Sequence, residues 1–234
     1  MNDEINRLIE PLYGAKVETS FATSGGSINQ TQVLSLTNGQ RVFCKRNPSP
    51  PADFFLAETR GLKLLAQAKS GPRIPKPIAV QSGSRPTFLL LEYIESSAED
   101  EKFAEQLAIS LAQLHRTSQE YYGLDHDNYI GSTPQKNTLE KDGIVFFRDQ
   151  RINFMRKFAR QSGLLPLAID KKLDSLCDKL EKFLNISGEK PALIHGDLWS
   201  GNYFPDSDGK PCIFDPAVYY GLREADLAMT ELFG

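Results

Sequence analysis

Three oxygen-bearing side chains in the last fifth of this 234-residue chain have types and spacing suited to chemistry. The segment His195-Gly-Asp-Leu-Trp-Ser-Gly-Asn202 is a glycine-containing loop directly after the apolar run Ala192–Ile194, and it sets Asp197 and Asn202 five apart. Thirteen residues beyond Asn202, Asp215 ends a second short apolar run, Cys212–Phe214. These runs read as adjacent strands, and the loop between them gathers two carboxylates and one amide around one point. No histidine cluster accompanies them, so the set does not read as a zinc site. Hard oxygen donors of this kind suit Mg²⁺.

Phosphoryl transfer needs such parts: a carboxylate to orient the attacking hydroxyl, and an Asn and a second Asp to hold metal ions against the phosphates. Asp-x₄-Asn followed by a metal-binding Asp is the protein-kinase arrangement. The elements upstream supply the remaining parts. Three extended runs, Lys16–Thr23, Thr31–Thr37 and Arg41–Arg46, are joined by Gly25-Gly26-Ser27 and by Asn38-Gly39, the latter a strong hairpin signal. Gly25-Gly26-Ser27 can turn tightly and offer backbone N–H groups to phosphate, although a Gly-Gly hairpin without a ligand is also common. Lys45 lies on the third run. The spacing of Phe55, Leu62 and Leu65 predicts a helix over 53–69, with Glu58 on the apolar face, where a lone carboxylate is unfavourable. An ion pair between Lys45 and Glu58 satisfies both and aims the ammonium at a nucleotide. A Pro-rich stretch from Gly71 ends this helix, and Thr87–Tyr93 reads as a buried strand. Beyond the polar connector Glu95–Asp100 the helical period dominates, at Phe103, Leu107, Leu111 and Leu114 and more weakly over 148–161 and 168–184. His195 and His115 read as structural histidines. Trp199 reads as core or as a wall for a sugar, and Arg223, Glu224 and Asp226 as an ion network behind the metal loop.

The composition, 40% hydrophobic and 24% charged, is that of an ordinary globular chain and excludes disorder and low complexity. A formal net charge of −3 argues against a sequence-independent nucleic-acid binder. No apolar run approaches the ~18–20 residues that span a bilayer, so no membrane partner is expected. The N-terminus Met1-Asn-Asp-Glu lacks the character of a secretory signal. Three dispersed cysteines, Cys44, Cys177 and Cys212, form no disulfide or metal framework, which points to a reducing cytoplasm.

The chain resembles the fructosamine kinase (ketosamine 3-kinase) family of the kinase-like aminoglycoside and choline phosphotransferases. The resemblance is carried by His195–Asn202, Ile213-Phe-Asp-Pro-Ala217 and Tyr220-Gly-Leu-Arg-Glu-Ala-Asp-Leu-Ala228. Tyr122-Gly-Leu-Asp-His-Asp-Asn128, Thr133-Pro-Gln135, Asn137, Phe146-Phe147 and Gln150-Arg151 extend it through the middle. It implies an α+β, protein-kinase-like two-lobed fold: a small antiparallel β-rich N-lobe over 1–91, a hinge at 92–97 and an α-rich C-lobe over 98–234. Relatives continue for several helices past the position of Gly234, so the C-lobe is expected to be incomplete. The implied activity is ATP- and Mg²⁺-dependent phosphorylation of the 3-hydroxyl of a ketosamine, on a protein or a small molecule, whose product then loses the sugar. Carried over by position, Asp197 is the base, Asn202 and Asp215 are metal ligands, Lys45 and Glu58 anchor phosphates, and Glu92, Tyr93 and Ile94 meet adenine through backbone groups. Asp125, Asp127, Asn128, Gln135, Arg151 and Trp199 are candidate substrate contacts. Some members carry a redox-sensitive cysteine in the glycine loop; here the loop reads Gly25-Gly26-Ser27-Ile28, which does not support disulfide regulation. Two other readings are an aminoglycoside- or choline-type alcohol kinase and a non-catalytic nucleotide-binding protein.

Overall fold

Strands β2 (Gln30–Leu36) and β3 (Arg41–Asn47) turn back on each other at Asn38-Gly39, as the dipeptide predicts. Gly39 sits at φ +82, a region open to glycine without steric cost. The structure, a computed structural model, describes residues 2–23, 28–83, 86–184, 186 and 188–232. With β1 (Val17–Ala22), β4 (Pro77–Gln81) and β5 (Thr87–Glu92), these strands form one antiparallel sheet in the order β1-β2-β3-β5-β4.

Strand β5, an inner strand between β3 and β4, explains how the sheet is covered. Its residues alternate between faces. Phe88 and Leu90 join Leu34, Leu36, Val42 and Cys44 beneath Ile5 and Ile9 of helix α1 (Asn2–Tyr13). Leu89 and Leu91 pack on the other face with Phe54, Phe55 and Leu62 of helix α2 (Phe54–Leu65). The unbroken apolar run Phe88–Leu91 is therefore the mark of a strand buried on both sides. Helix α2 ends four residues before the expected 69, where the chain closes i→i+3 turns at Gln67 and Ala68 and Ser70 takes φ +60.

The α-rich remainder is built on helix α3 (Phe103–Leu114), whose Phe103, Leu107, Leu111 and Leu114 are buried. The hairpin β6 (Asn128–Ile130)–β7 (Thr133–Gln135) follows. Then one helical rod runs through α4 (Gly143–Phe146), a π-helical segment Phe147–Asn153 and α5 (Phe154–Gln161). It starts five residues earlier than the apolar pattern indicates, capped by the Asp142 carboxylate on the N–H groups of Ile144 and Val145. The π segment shifts the phase of the apolar face, which is why the 3.6 period is weak there. Helices α6 (Leu167–Cys177) and α7 (Leu180–Phe183) complete the middle.

The two runs around the candidate loop are not partners of each other, a correction to the sequence reading. Strand β8 (Ala192–Ile194) pairs with β11 (Tyr219–Gly221), and β10 (Pro211–Ile213) pairs with β9 (Tyr203–Pro205). Strands of three residues carry too little alternation to be found by period. Helix α8 (Glu224–Leu232) closes the described chain. Among the described residues no helix is long and apolar enough to cross a membrane.

Candidate functional site

Lys45 stands in the middle of β3, opposite Leu89 of β5, and its ammonium is enclosed by carboxylates. Only 2% of its side chain is exposed. Nζ donates to Glu58 Oε1 of α2 at 2.7 Å and to Asp215 Oδ1 in the loop after β10. Burial opposes the lysine charge, but Asp215 and Glu58 together hold its pKa above the ordinary value. Burial pushes the Glu58 carboxyl up to about 7, with Lys45 pulling against it. The ion pair expected from the sequence is thus present, and Asp215 is a third member. Asp215 occupies φ +57, a left-handed conformation that non-glycine residues seldom adopt and that clusters at functional sites.

The loop between β8 and β9 is held from beneath by Asp226 of α8. This fully buried carboxylate accepts the N–H groups of His195 and Gly196, each at 2.8 Å, and lies 2.9 Å from His115 Nε2. His195 is itself buried, which lowers its pKa. Its neutral ring pairs through Nε2 with the carbonyl of Phe214 at 2.8 Å, so it ties the loop to the residue before Asp215 rather than moving protons. Gly196, at φ +82, approaches the carbonyl of Ala217 so closely that a Cβ there would lie 2.2 Å from that oxygen. Burial also raises the Asp197 pKa. The Asn202 amide nitrogen donates to the Asp197 carbonyl at 2.8 Å and to its carboxylate at 3.3 Å.

Asp197, Asn202, Asp215, Lys45 and Glu58 all line one cavity of about 460 Å³. Phe54, Tyr129, Trp199 and Met229 supply apolar wall, and Asn29 adds a polar group. Trp199 is 39% exposed, with its ring over Gly201. The described residues gather no cluster of three His, Cys, Asp or Glu suited to a metal. A cation here would be held by the Asp215 carboxylate and the Asn202 amide oxygen, whose nitrogen end is engaged by Asp197. These are hard donors beside a nucleotide-sized cavity, and they fit Mg²⁺.

The other expected residues are placed as follows. Gly25, Gly26 and Ser27 lie outside the described residues, and the adjoining Ile28 and Asn29 line the cavity. Glu92, Tyr93 and Ile94 are not among its lining residues. Glu92 pairs with Arg73 at 2.7 Å and donates its N–H to Lys76, while Arg41 stacks on Tyr93. Asp125 is exposed beside His126, and Asp127 accepts Lys136 and the N–H of Asn137. Asn128 lines the cavity, but its amide is engaged with Gln135, Asn137 and Val218. Arg151 stacks on Tyr219 and Phe146. Of the expected network behind the loop only Asp226 takes part. Arg223 pairs with Glu189 and Glu224 at the surface, because the helix turn directs those side chains outward. Gly61 of α2 has no sequence signal of function, yet its missing side chain admits Val218 and Pro216.

A family model described as fructosamine kinase matches residues 1–234. A probable ketoamine kinase of Enterococcus faecium is 36% identical over 210 residues, which is 90% of this chain and 73% of that protein. One of Synechocystis is 36% identical over 221 residues, 94% and 72% of the two chains. The solved putative fructosamine-3-kinase of Thermobifida fusca superposes with a TM-score of 0.86 at 30% identity, covering 100% of this chain and 80% of its own. That of Haemophilus somnus gives 0.86 at 29%, covering 98% and 76%. An aminoglycoside phosphotransferase from Streptomyces rimosus, at 17% identity, TM-score 0.57 and coverage of 97% and 81%, shares the fold. The fold is therefore α+β and protein-kinase-like.

Proposed function

The chain belongs to the fructosamine kinase family, and from that premise we propose that it transfers the γ-phosphoryl group of ATP to the 3-hydroxyl of a ketosamine. The observation that carries the reading is the convergence of Lys45, Glu58, Asp197, Asn202 and Asp215 on one cavity from four separate elements. No single structural need explains all five there.

Lys45, kept charged by two carboxylates, anchors the nucleotide phosphates. Backbone groups of Tyr93 and Ile94, past the Glu92 N–H that Lys76 takes, would meet adenine outside the cavity lining described above. Asn202 and Asp215 would hold Mg²⁺, which when bound offsets the negative charge of the phosphate oxygens. Asp197 orients the sugar hydroxyl and accepts its proton while the O–P bond forms, the β–γ bridging bond breaks and ADP leaves. Burial suits Asp197 to this task, since a raised pKa brings a base closer to the working pH. Trp199 and Tyr129 flank the acceptor. The 3-phosphate product then loses its sugar, which reverses glycation.

Phosphorus NMR on an acceptor panel tests the reading. The expected result is a new sugar-phosphate signal with fructosyl- or ribulosyl-lysine, abolished in Asp197→Asn while nucleotide affinity stays within a few-fold. Undiminished turnover by D197N would overturn the base assignment. Turnover on choline or an aminoglycoside with none on ketosamines would overturn the acceptor.

A further inference from the structure

Three buried amides of the β6–β7 region, Asn128, Gln135 and Asn137, have no part in the transfer scheme, and two of them, Asn128 and Gln135, donate to the segment after Asp215. Asn128 and Gln135 face each other in the hairpin. Gln135 Nε2 donates to Asn128 Oδ1 at 2.8 Å and to the Ala217 carbonyl at 2.9 Å. Asn128 Nδ2 donates to the Val218 carbonyl at 2.7 Å. Asn137 gives Asn128 Oδ1 its second bond at 2.9 Å, and Arg151 donates to Asn137 Oδ1 at 2.8 Å. Buried amides are tolerated only when satisfied, and this cluster is satisfied by reaching outward. A network serving the hairpin alone would have no need of carbonyls two and three residues past Asp215.

Those carbonyls matter because of the Asp215 backbone. Its left-handed turn is fixed upstream, where Phe214 donates to Asn202 and accepts from the His195 ring. Downstream the amides take hold. On the opposite side α2 comes close at Gly61, where a Cβ would lie 3.2 Å from Val218 Cγ2 and 3.4 Å from Pro216 Cγ. The segment is thus pinned between a helix and the amide cluster.

We infer that Gln135 and Asn128 are positioning residues that hold the Ala217 and Val218 carbonyls, so that Asp215 keeps its left-handed turn and presents its carboxylate to Lys45 and to a bound metal. The metal clause rests on the phosphoryl-transfer reading; the turn does not.

Gln135→Met keeps the side-chain length and removes both donors. Leu107→Ala, in the α3 core, serves as a control for lost stability alone. Hydrogen exchange of the amides over 214–219 is compared between the two variants, together with ADP binding across a Mg²⁺ titration. Losing one to two buried hydrogen bonds predicts exchange over 214–219 about tenfold faster in Q135M than in the parent and faster there than over the rest of its core, whereas L107A speeds exchange over the core as a whole, and a Mg²⁺ requirement raised by about tenfold in Q135M. Metal-free ADP affinity should stay within about twofold. In Q135M, an acceleration over 214–219 no greater than over the rest of the core, the pattern of L107A, overturns the inference, as does an equal loss of ADP affinity with and without metal. If ADP binding by the unsubstituted protein does not depend on Mg²⁺, the phosphoryl-transfer reading falls, and the exchange comparison still decides the positioning role. Should Q135M not fold, Gln135→Asn, with its amide one methylene short, takes its place.

Discussion

Asp226 offers the sharpest test of how the loop carrying Asp197 is held. Asp226→Ala strands two backbone N–H groups, of His195 and Gly196, and removes the partner of His115. An unsatisfied buried donor is unfavourable by ~1–3 kcal/mol, so the two N–H groups together predict a loss of about 4 kcal/mol. For a chain of this size that lowers Tm by roughly 8–16 °C. Asp226→Asn keeps the shape and one acceptor oxygen but turns an NH₂ toward an N–H, and about 2 kcal/mol is expected. His115→Ala, which leaves the backbone bonds intact, should cost only about 1 kcal/mol. The double variant D226A/H115A should fall short of the sum of the singles, because the two residues share a bond. Urea denaturation of all four proteins supplies the cycle, and turnover per folded molecule reports on Asp197. A D226A protein no less stable than H115A would refute the argument that the loop hangs from this carboxylate. So would full turnover in D226A, since the loop would then hold Asp197 in place without it.

Two further substitutions probe separate supports of the site. Gly196→Ala places a Cβ against the Ala217 carbonyl at a backbone angle unfavourable to side chains, so it should destabilise by about 2 kcal/mol or more and reduce turnover; a variant as stable and active as the parent, by thermal melt and assay, would show that the close approach can relax. Asp206, buried between β9 and β10, would be pushed up by burial, but Arg73 and the N–H groups of Lys210 and Asp208 hold its pKa below the ordinary value. The stabilisation from this depressed pKa is complete above the unfolded value near 3.8 and fades as the pH falls through the folded one. The stability gap between the parent and Asp206→Asn should therefore be full at pH 6 and shrink below about pH 4, in urea melts, and a gap independent of pH would count against the ion pair.

What the sequence disclosed follows the range of the interactions. The Asn38-Gly39 turn, the β3 lysine and the α2 carboxylate are announced by local pattern: two short strands and a turn dipeptide, and a charge on an apolar helix face. Their partners pair in the structure as expected: antiparallel register fixes the neighbours across the hairpin, and α2, packed on the sheet, brings Glu58 to Lys45. The loop carrying Asp197 is legible for another reason. Gly196 directly before Asp197, Gly201 four residues after it and an amide five residues on make an unusual local composition, and the family signature strengthens it. The error over the neighbouring strands has the same origin. Three-residue strands lack periodicity, so adjacency was read from sequence proximity when β8 pairs with β11 and β10 with β9.

What stayed hidden is what holds the site in shape. Gln135 reaches a carbonyl 82 residues away and Lys45 meets Asp215 across 170, while Asp226, expected behind the loop, takes backbone N–H groups some thirty residues upstream where an ion network was expected. None of these pairings leaves a periodic trace, because each rests on one polar atom finding another in the folded interior. The strained turn at Asp215 makes the division of labour physical. A non-glycine residue at φ +57 is disfavoured by ~1–3 kcal/mol, and the surrounding structure must more than offset that. Here the Lys45 ion pair, the His195 bond to Phe214 and the amides beneath Ala217 and Val218 each hold a different atom of the segment. The conformation of Asp215 is thus held by Lys45 together with residues that do not line the cavity, His195 and Gln135 among them. A single substitution among them should shift the aim of Asp215 before it unfolds the chain.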